Sequence, residues 1–325
     1  MIKLPGQQGV ALITALLVVS LATVLAVSLV SHLYYDIRRT ENILRLDQAQ
    51  LYNSNAVEFA MVLLKLDRDA NNEYDSLEDI RLFNEQTAIF PVEGGSVSAN
   101  LADLQSCFNL NNLSKTNTEL ARYRAQYISL LNNLGVDISL HSTLTDSLID
   151  WLDKDDINEA QGAEFDYYIG LEKPYRTANS LMTSPSELRL VKGYTDGVIE
   201  LIKDETCVLP AVNTAININT ASSKMLESIE ELKSHAEQII KDRDGEADND
   251  EDDVPFEKID DFKKYVSETL KVKNFESGGL QIYSEYFLLE SKTQLGAGDI
   301  KLFSMIYRDN SNAKTSLIRQ TSGAF

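Results

Sequence analysis

The densest run of side chains able to do chemistry is DWLDKDDINEAQGAEFD, from Asp150 to Asp166. Carboxylates are hard oxygen donors, and calcium takes six to eight oxygens from a short, flexible loop. Asp153, Asp155 and Glu164 fall at positions 1, 3 and 12 of an EF-hand count. Ile157 stands at position 5, however, and Asn158 replaces the glycine expected at position 6, so this is not an EF-hand. Two readings stay open on the residues alone. One is an irregular calcium loop using Asp153, Asp155, Asp156, Glu159, Glu164 and Asp166; the other is a solvated acidic loop. A second acidic group, Asp248, Asp250, Asp252 and Asp253, lies in the polar stretch 242–253. That stretch has too little apolar surface to fold alone and reads as a surface loop.

Other chemistry is sparse. Cys107 and Cys207 fit no metal-ligand spacing; they are either a bridge formed in an oxidising compartment or two buried thiols. His32, His141 and His235 sit in unrelated contexts, and no glycine-rich phosphate loop, GxSxG elbow or HExxH helix occurs. No two carboxylates stand out as an acid–base pair. Trp151 and the pair Tyr167 and Tyr168 read as packing residues. The stretch ININTAS, 216–222, is similar to the opening of a helix-hairpin-helix DNA-binding module. Such a module needs glycine in its turn to bring backbone amides to phosphate. Here the turn is Glu230, Glu231, Leu232, Lys233 and Ser234, so Asn219 or Thr220 is expected simply to cap a helix. A net charge of −20 also repels phosphates. The expectation is a protein that is neither an enzyme nor a nucleic-acid binder.

The elements that carry these residues begin with an anchor. Residues 10–30 contain no charge, and Thr14, Ser20, Thr23 and Ser28 are their only polar side chains. As a helix they span about 30 Å, enough to cross a bilayer's hydrocarbon core. Lys3 and the amino terminus favour a cytoplasmic start, while Arg38 and Arg39 pull weakly the other way. No glycine or proline follows until Pro91, so residues 31–66 are expected to continue as an amphipathic stem. Leu44, Leu51, Val57, Ala60 and Leu64 would mark its buried face, and Asn71 and Asn72 would lie in the turn that ends it. Val97, Ala99 and Leu101 alternate with polar residues as in a half-exposed strand. The tail gives three more strands, 286–294, 300–309 and 315–320, with turns at Gly296–Gly298 and Asn310–Asn312. Between them, 118–134, 144–152, 186–191 and 222–242 read as helices. The fold class is therefore α+β: a long N-terminal helix on an antiparallel sheet formed by 85–110 and 275–325. A large all-α domain, 111–274, is inserted in two parts of about 111–210 and 211–274.

A family resemblance rests on named stretches. QG followed by the apolar helix resembles a prepilin leader over residues 1–9. The stretches GVALITALLVV (9–19), DLQSCFNLNNL (103–113), DWLD (150–153), GAEFDYY (162–168), PYRTAN (174–179), ELRLV (187–191) and ININTAS (216–222) resemble, in the same order, the K-type minor pseudopilin of the type II secretion system. The resemblance implies a pilin-like body. It implies cleavage between Gly9 and Val10 by prepilin peptidase, and methylation of the new amino terminus at Val10. Pilin-type subunits usually carry Glu at the fifth mature position, which here is Thr14; the K type shares that absence. A carboxylate in lipid is costly without a partner, so Thr14 fits a subunit at a filament tip that lacks one neighbour. The resemblance further implies calcium in the helical domain. It implies assembly with I-type and J-type minor pseudopilins and other pseudopilins at the tip of the pseudopilus, to export folded proteins. A single-pass location in the inner membrane follows, with the C-terminal region in the periplasm. The competing reading is a minor pilin or adhesin-like binding subunit of a type IV pilus.

Overall fold

The computed structural model describes residues 8–69, 73–245, 254–296 and 298–323. Helix α1, Gln8–Asp69, is one unbroken helix. Its first half is fully exposed: nothing covers the most apolar stretch, whose length and composition suit a single membrane span. The Thr14 hydroxyl donates back to the Ala11 carbonyl (3.0 Å), the local bond that lets a hydroxyl sit in an apolar helix. The second half of α1 lies on the sheet through Ala49, Asn53, Val57, Ala60 and Leu64, all buried. Steps of three and four place these on one helical face. Leu44 and Leu51, expected on that face, point to solvent at 61% and 60% exposure. Their places are taken by the small residue Ala49 and the amide Asn53. Asn53 accepts from the Thr293 hydroxyl (2.8 Å) and donates to the Ile300 carbonyl (3.3 Å).

Helix α2, Leu77–Gln86, was not anticipated, although Ser76 and Asp79 form a capping box at its start. It lies almost wholly before the segment expected to open the sheet, 85–110, and overlaps only Glu85 and Gln86. The Asn84 amide clamps the strand beside it by bonding both backbone groups of Leu101.

Strands β1, Phe90–Val92, and β2, Gly95–Asp103, begin the sheet. The chain then leaves through β3, Phe108–Asn109, and helices α3, Leu120–Asn133, α4, Ile138–Leu152, α5, Phe165–Ile169, and α6, Asp196–Ile202. Next come β4, Thr206–Cys207, β5, Ile216–Asn217, and helices α7, Ser223–Glu227, α8, Ala236–Asp244, and α9, Ile259–Glu268. After β6, Leu280–Gln281, the chain returns to the sheet as β7, Tyr286–Leu295, β8, Gly298–Arg308, and β9, Thr315–Thr321. The sheet is antiparallel in the order β1-β2-β7-β8-β9. The insertion thus separates two neighbouring strands, and the short parallel pairs β3–β4 and β5–β6 tie its ends together.

One sheet face, with Ala99, Leu101, Phe287, Leu289 and Ile306, is buried under α1 and Phe83 of α2. Tyr286 and Met305, on the other face, meet Leu104, Cys207 and Leu209 at the root of the insertion. The insertion has its own core, and that core is continuous from Phe108 to Ile282. The two sequence parts therefore share one interior. The helix expected over 222–242 is broken after Glu227 and resumes at Ala236. Its cap is Ser222, whose hydroxyl accepts from the Met225 amide (3.0 Å), not Asn219 or Thr220. Those two residues are buried: Asn219 bonds the backbone of Phe256, and Thr220 donates to Asp103.

A buried charge joins stem, sheet and insertion. The Arg308 guanidinium, fully buried at the end of β8, meets both Asp75 oxygens and the Asp67 carboxylate (3.1 Å), and donates to the Leu64 and Ser284 carbonyls. It also lies over the Phe287 ring. Asp103 accepts from Ser284, Asn217 and Thr220 alongside.

Candidate functional site: a buried carboxylate cluster

Helix α4 places Asp146 and Asp150 along one stripe, and Asp153, its C-cap, follows three residues on. The loop that follows folds back on this stripe. The Gln161 amide donates to Asp146 (3.0 Å), and the Glu159 amide donates to both Asp150 oxygens (3.0 and 3.2 Å). Gly162 passes so close that a Cβ there would lie 1.8 Å from Asp150 Oδ2. Lys192 fixes the loop from outside through the Gln161 and Gly162 carbonyls. The turn sets Glu164 against α4. Oxygens of Asp150, Asp153 and Glu164 then converge within 4.8 Å of one another, and all three residues are buried.

The electrostatics of this cluster are those of an anionic hole. Both Glu164 oxygens are buried and have no hydrogen-bond donor among the described residues. Burial pushes the Glu164 carboxyl up to about 8, and the charges of Asp150 and Asp153 add to the rise. Burial also pushes Asp150 up to about 6, against the lowering by its two backbone donors. Native interiors rarely leave carboxylate oxygens unpaired. A hard divalent cation would satisfy all three residues at once, so the donor set fits calcium.

The structure sorts the sequence candidates. Asp153 and Glu164 converge; Asp155, Asp156, Glu159 and Asp166 stay outside the converging group. Asp155, Asp156 and Asp166 are exposed, and Asp156 accepts a long bond from the Asn179 amide (3.4 Å). Asp150 was missed as a donor. It sits among apolar residues of α4, and its signal was the three-residue step to Asp153 followed by a glycine at 162. The second acidic group, Asp248, Asp250, Asp252 and Asp253, lies outside the described residues, as do Asn71 and Asn72 and residues 1–7. Trp151 and Tyr168 are buried and packed edge to face, as core residues. Cys107, immediately before β3, and Cys207 of β4 form a disulfide, with their sulfurs 2.16 Å apart.

Comparison with known proteins places this arrangement. Residues 106–211, which hold the whole cluster, match the family model described as type II secretion system (T2SS), protein K. The type II secretion system protein K of Pseudomonas aeruginosa is 31% identical over 93% of this chain and 89% of its own length. The chain belongs to the type II secretion system protein K family. The corresponding protein of Aeromonas hydrophila is 35% identical over 66% of this chain and 67% of its own. A chain of the GspK-GspI-GspJ complex from enterotoxigenic Escherichia coli shares the fold: TM-score 0.71, 24% identity, covering 88% of this chain and all of that one. As a protein K, the chain is a minor pseudopilin of type II secretion, which decides against the type IV pilus reading. The expected fold class, a pilin-like helix on a sheet with an inserted helical domain, is the one observed.

Proposed function

We propose that this protein K caps the tip of the pseudopilus. There it starts or completes assembly with I-type and J-type minor pseudopilins, and it acts as a structural subunit without catalysis. The observation that carries this is the stem. Ile43, Leu44, Leu46, Leu51, Val62 and Leu66 stay exposed around α1 after the sheet has covered its other face. A helix that is apolar on both sides buries the second side against another helix. The insertion adds bulk beside the stem that would obstruct close neighbours on every side, which suits an end position. The E. coli neighbour in fold is a member of a GspK-GspI-GspJ complex, in keeping with such partners. The exposed apolar start of α1 suits a single-pass inner-membrane anchor, with the sheet and insertion in the periplasm. Processing after Gly9, methylation at Val10 and a permissive Thr14 belong to the same reading. The full chain, solubilised in detergent, should co-purify with the I-type and J-type subunits of its own system. Recovery of neither subunit would sink the proposal.

We propose further that Asp150, Asp153 and Glu164 hold calcium, which there would neutralise the carboxylates and fix the Gly162 loop against α4. Calcium should then raise the melting temperature of chelator-treated protein. At about 100 times the Kd, the gain is about 2–3 kcal/mol. Gly162→Ala should abolish that gain, because the added methyl must displace the Asp150 carboxylate. Equal melting temperatures with and without millimolar calcium in the unmutated protein would refute the site.

A further inference from the structure

We infer that Lys115 is the resident cation of the carboxylate cluster: its ammonium holds the ion-free site together and is displaced when calcium enters, so that it sets the site's affinity. This rests on the calcium reading above. Lys115 comes from outside the acidic loop, two residues past the 3-10 helix Leu110–Leu113. Its Nζ lies 2.7 Å from Asp153 Oδ2, 3.3 Å from Glu159 Oε1 and 3.8 Å from Asp155 Oδ2. One ammonium therefore bridges a carboxylate of the converging group and two of the rim. A second cation at this rim is Arg124, paired with Asp146 and 3.7 Å from Glu159.

Three features make Lys115 a stand-in for the ion and not a permanent partner of the site. The first is the shared atom. Calcium bonds oxygen at about 2.3–2.6 Å, so a calcium ion on Asp153 Oδ2 and an ammonium at 2.7 Å from the same oxygen repel each other at contact distance. The second is incomplete satisfaction. With Lys115 in place, both Glu164 oxygens remain without a donor. A single charge on one side leaves Glu164 without a donor, whereas a multiply coordinating ion reaches it together with Asp150 and Asp153. The third is freedom to leave. The backbone beneath Lys115 is held: Asn111 donates to the Met182 and Leu209 carbonyls, and the Asn117 amide donates to the Asn112 carbonyl. The Lys115 side chain itself is 30% exposed. Lysine is a compact point charge on a flexible stem. It can swing into water while the main chain stays in place.

The arrangement separates two quantities that a bare cluster would couple. Without Lys115, the empty site would be more repulsive and the filled site tighter. The test is calorimetric calcium titration, with thermal melting, of the chelator-treated full chain in detergent. Lys115→Met should melt lower than the unmutated protein without calcium, yet bind calcium about tenfold more tightly. Lys115→Arg keeps the charge and should stay within about twofold of the unmutated affinity. Unchanged or weaker calcium binding by Lys115→Met, beside normal binding by the unmutated chain, overturns the assignment. Absence of calcium binding in every variant overturns the calcium reading beneath it, and the assignment with it.

Discussion

Replacing Arg308 with alanine is expected to cost the sheet body about 3–5 kcal/mol, the range for stripping one partner from a buried ion pair. Arg308 is fully buried, and its guanidinium joins three elements distant in sequence: Leu64 and Asp67 of α1, Asp75 before α2, and Ser284 before β7. Truncation leaves Asp75 buried without its countercharge. Burial already pushes the Asp75 carboxyl up to about 6 despite Arg308, and losing the guanidinium raises it further. A carboxyl whose folded pKa is raised gives most stability below its unfolded pKa and loses it as pH rises through the folded value. The defect should therefore be mild in weak acid and grow toward neutral and alkaline pH. Thermal melts across pH would check this. A melting temperature within a degree or so of the unmutated protein at alkaline pH would show that the pair is dispensable. The double variant Arg308→Met with Asp75→Leu should recover much of the loss, since a well-packed apolar pair can replace buried charges.

The second large effect belongs to the cysteines. Removing both, as Cys107→Ser with Cys207→Ser, should cost about 2–5 kcal/mol. A closed loop of 100 residues lies near the upper end of what chain entropy predicts. The loop runs from β3 to β4 and encloses α3 to α6 with the whole carboxylate cluster. The pair also sits where the insertion meets Tyr286 and Met305 of the sheet. Loss of the bridge should thus loosen the insertion before the sheet, and thermal melts would show the insertion unfolding at a lower temperature than in the unmutated protein. Two titratable thiols in protein purified without reductant would show that no bridge forms.

Much of the fold was legible because period and punctuation agree. In β7, β8 and β9 the alternation of inward and outward residues and the intervening turns gave boundaries close to those observed. The stem was legible as a helix, and its buried face was legible at Val57, Ala60 and Leu64. Nearer the membrane end the pattern misled: Leu44 and Leu51 stay exposed, while Ala49 and Asn53 allow close approach to β8. A pattern of hydrophobicity cannot tell a core face from an interface face. Helix α2 was lost because six of its ten residues are polar, and its capping box passed unread. At the site, the acidic loop was conspicuous but its most exposed members were overvalued. The buried donor Asp150 hides in a run of apolar neighbours, and Lys115 lies more than thirty positions upstream, beyond the reach of any local motif.

The unbroken course of α1 gives it the character of a drive shaft. The exposed apolar half and the sheet-bearing half belong to one helix, with no glycine or proline between Val10 and Asp69 to absorb a change of phase. Each residue turns the helix by about 100° and advances it by about 1.5 Å. A single residue added or removed between Tyr35 and Thr40, ahead of the first residues that meet the sheet, would swing the carboxylate cluster about a quarter turn around the helix axis relative to the apolar half. A change of seven residues nearly restores the phase and alters only height. The length of this segment therefore encodes an azimuth, which fixes the direction in which the insertion faces its surroundings.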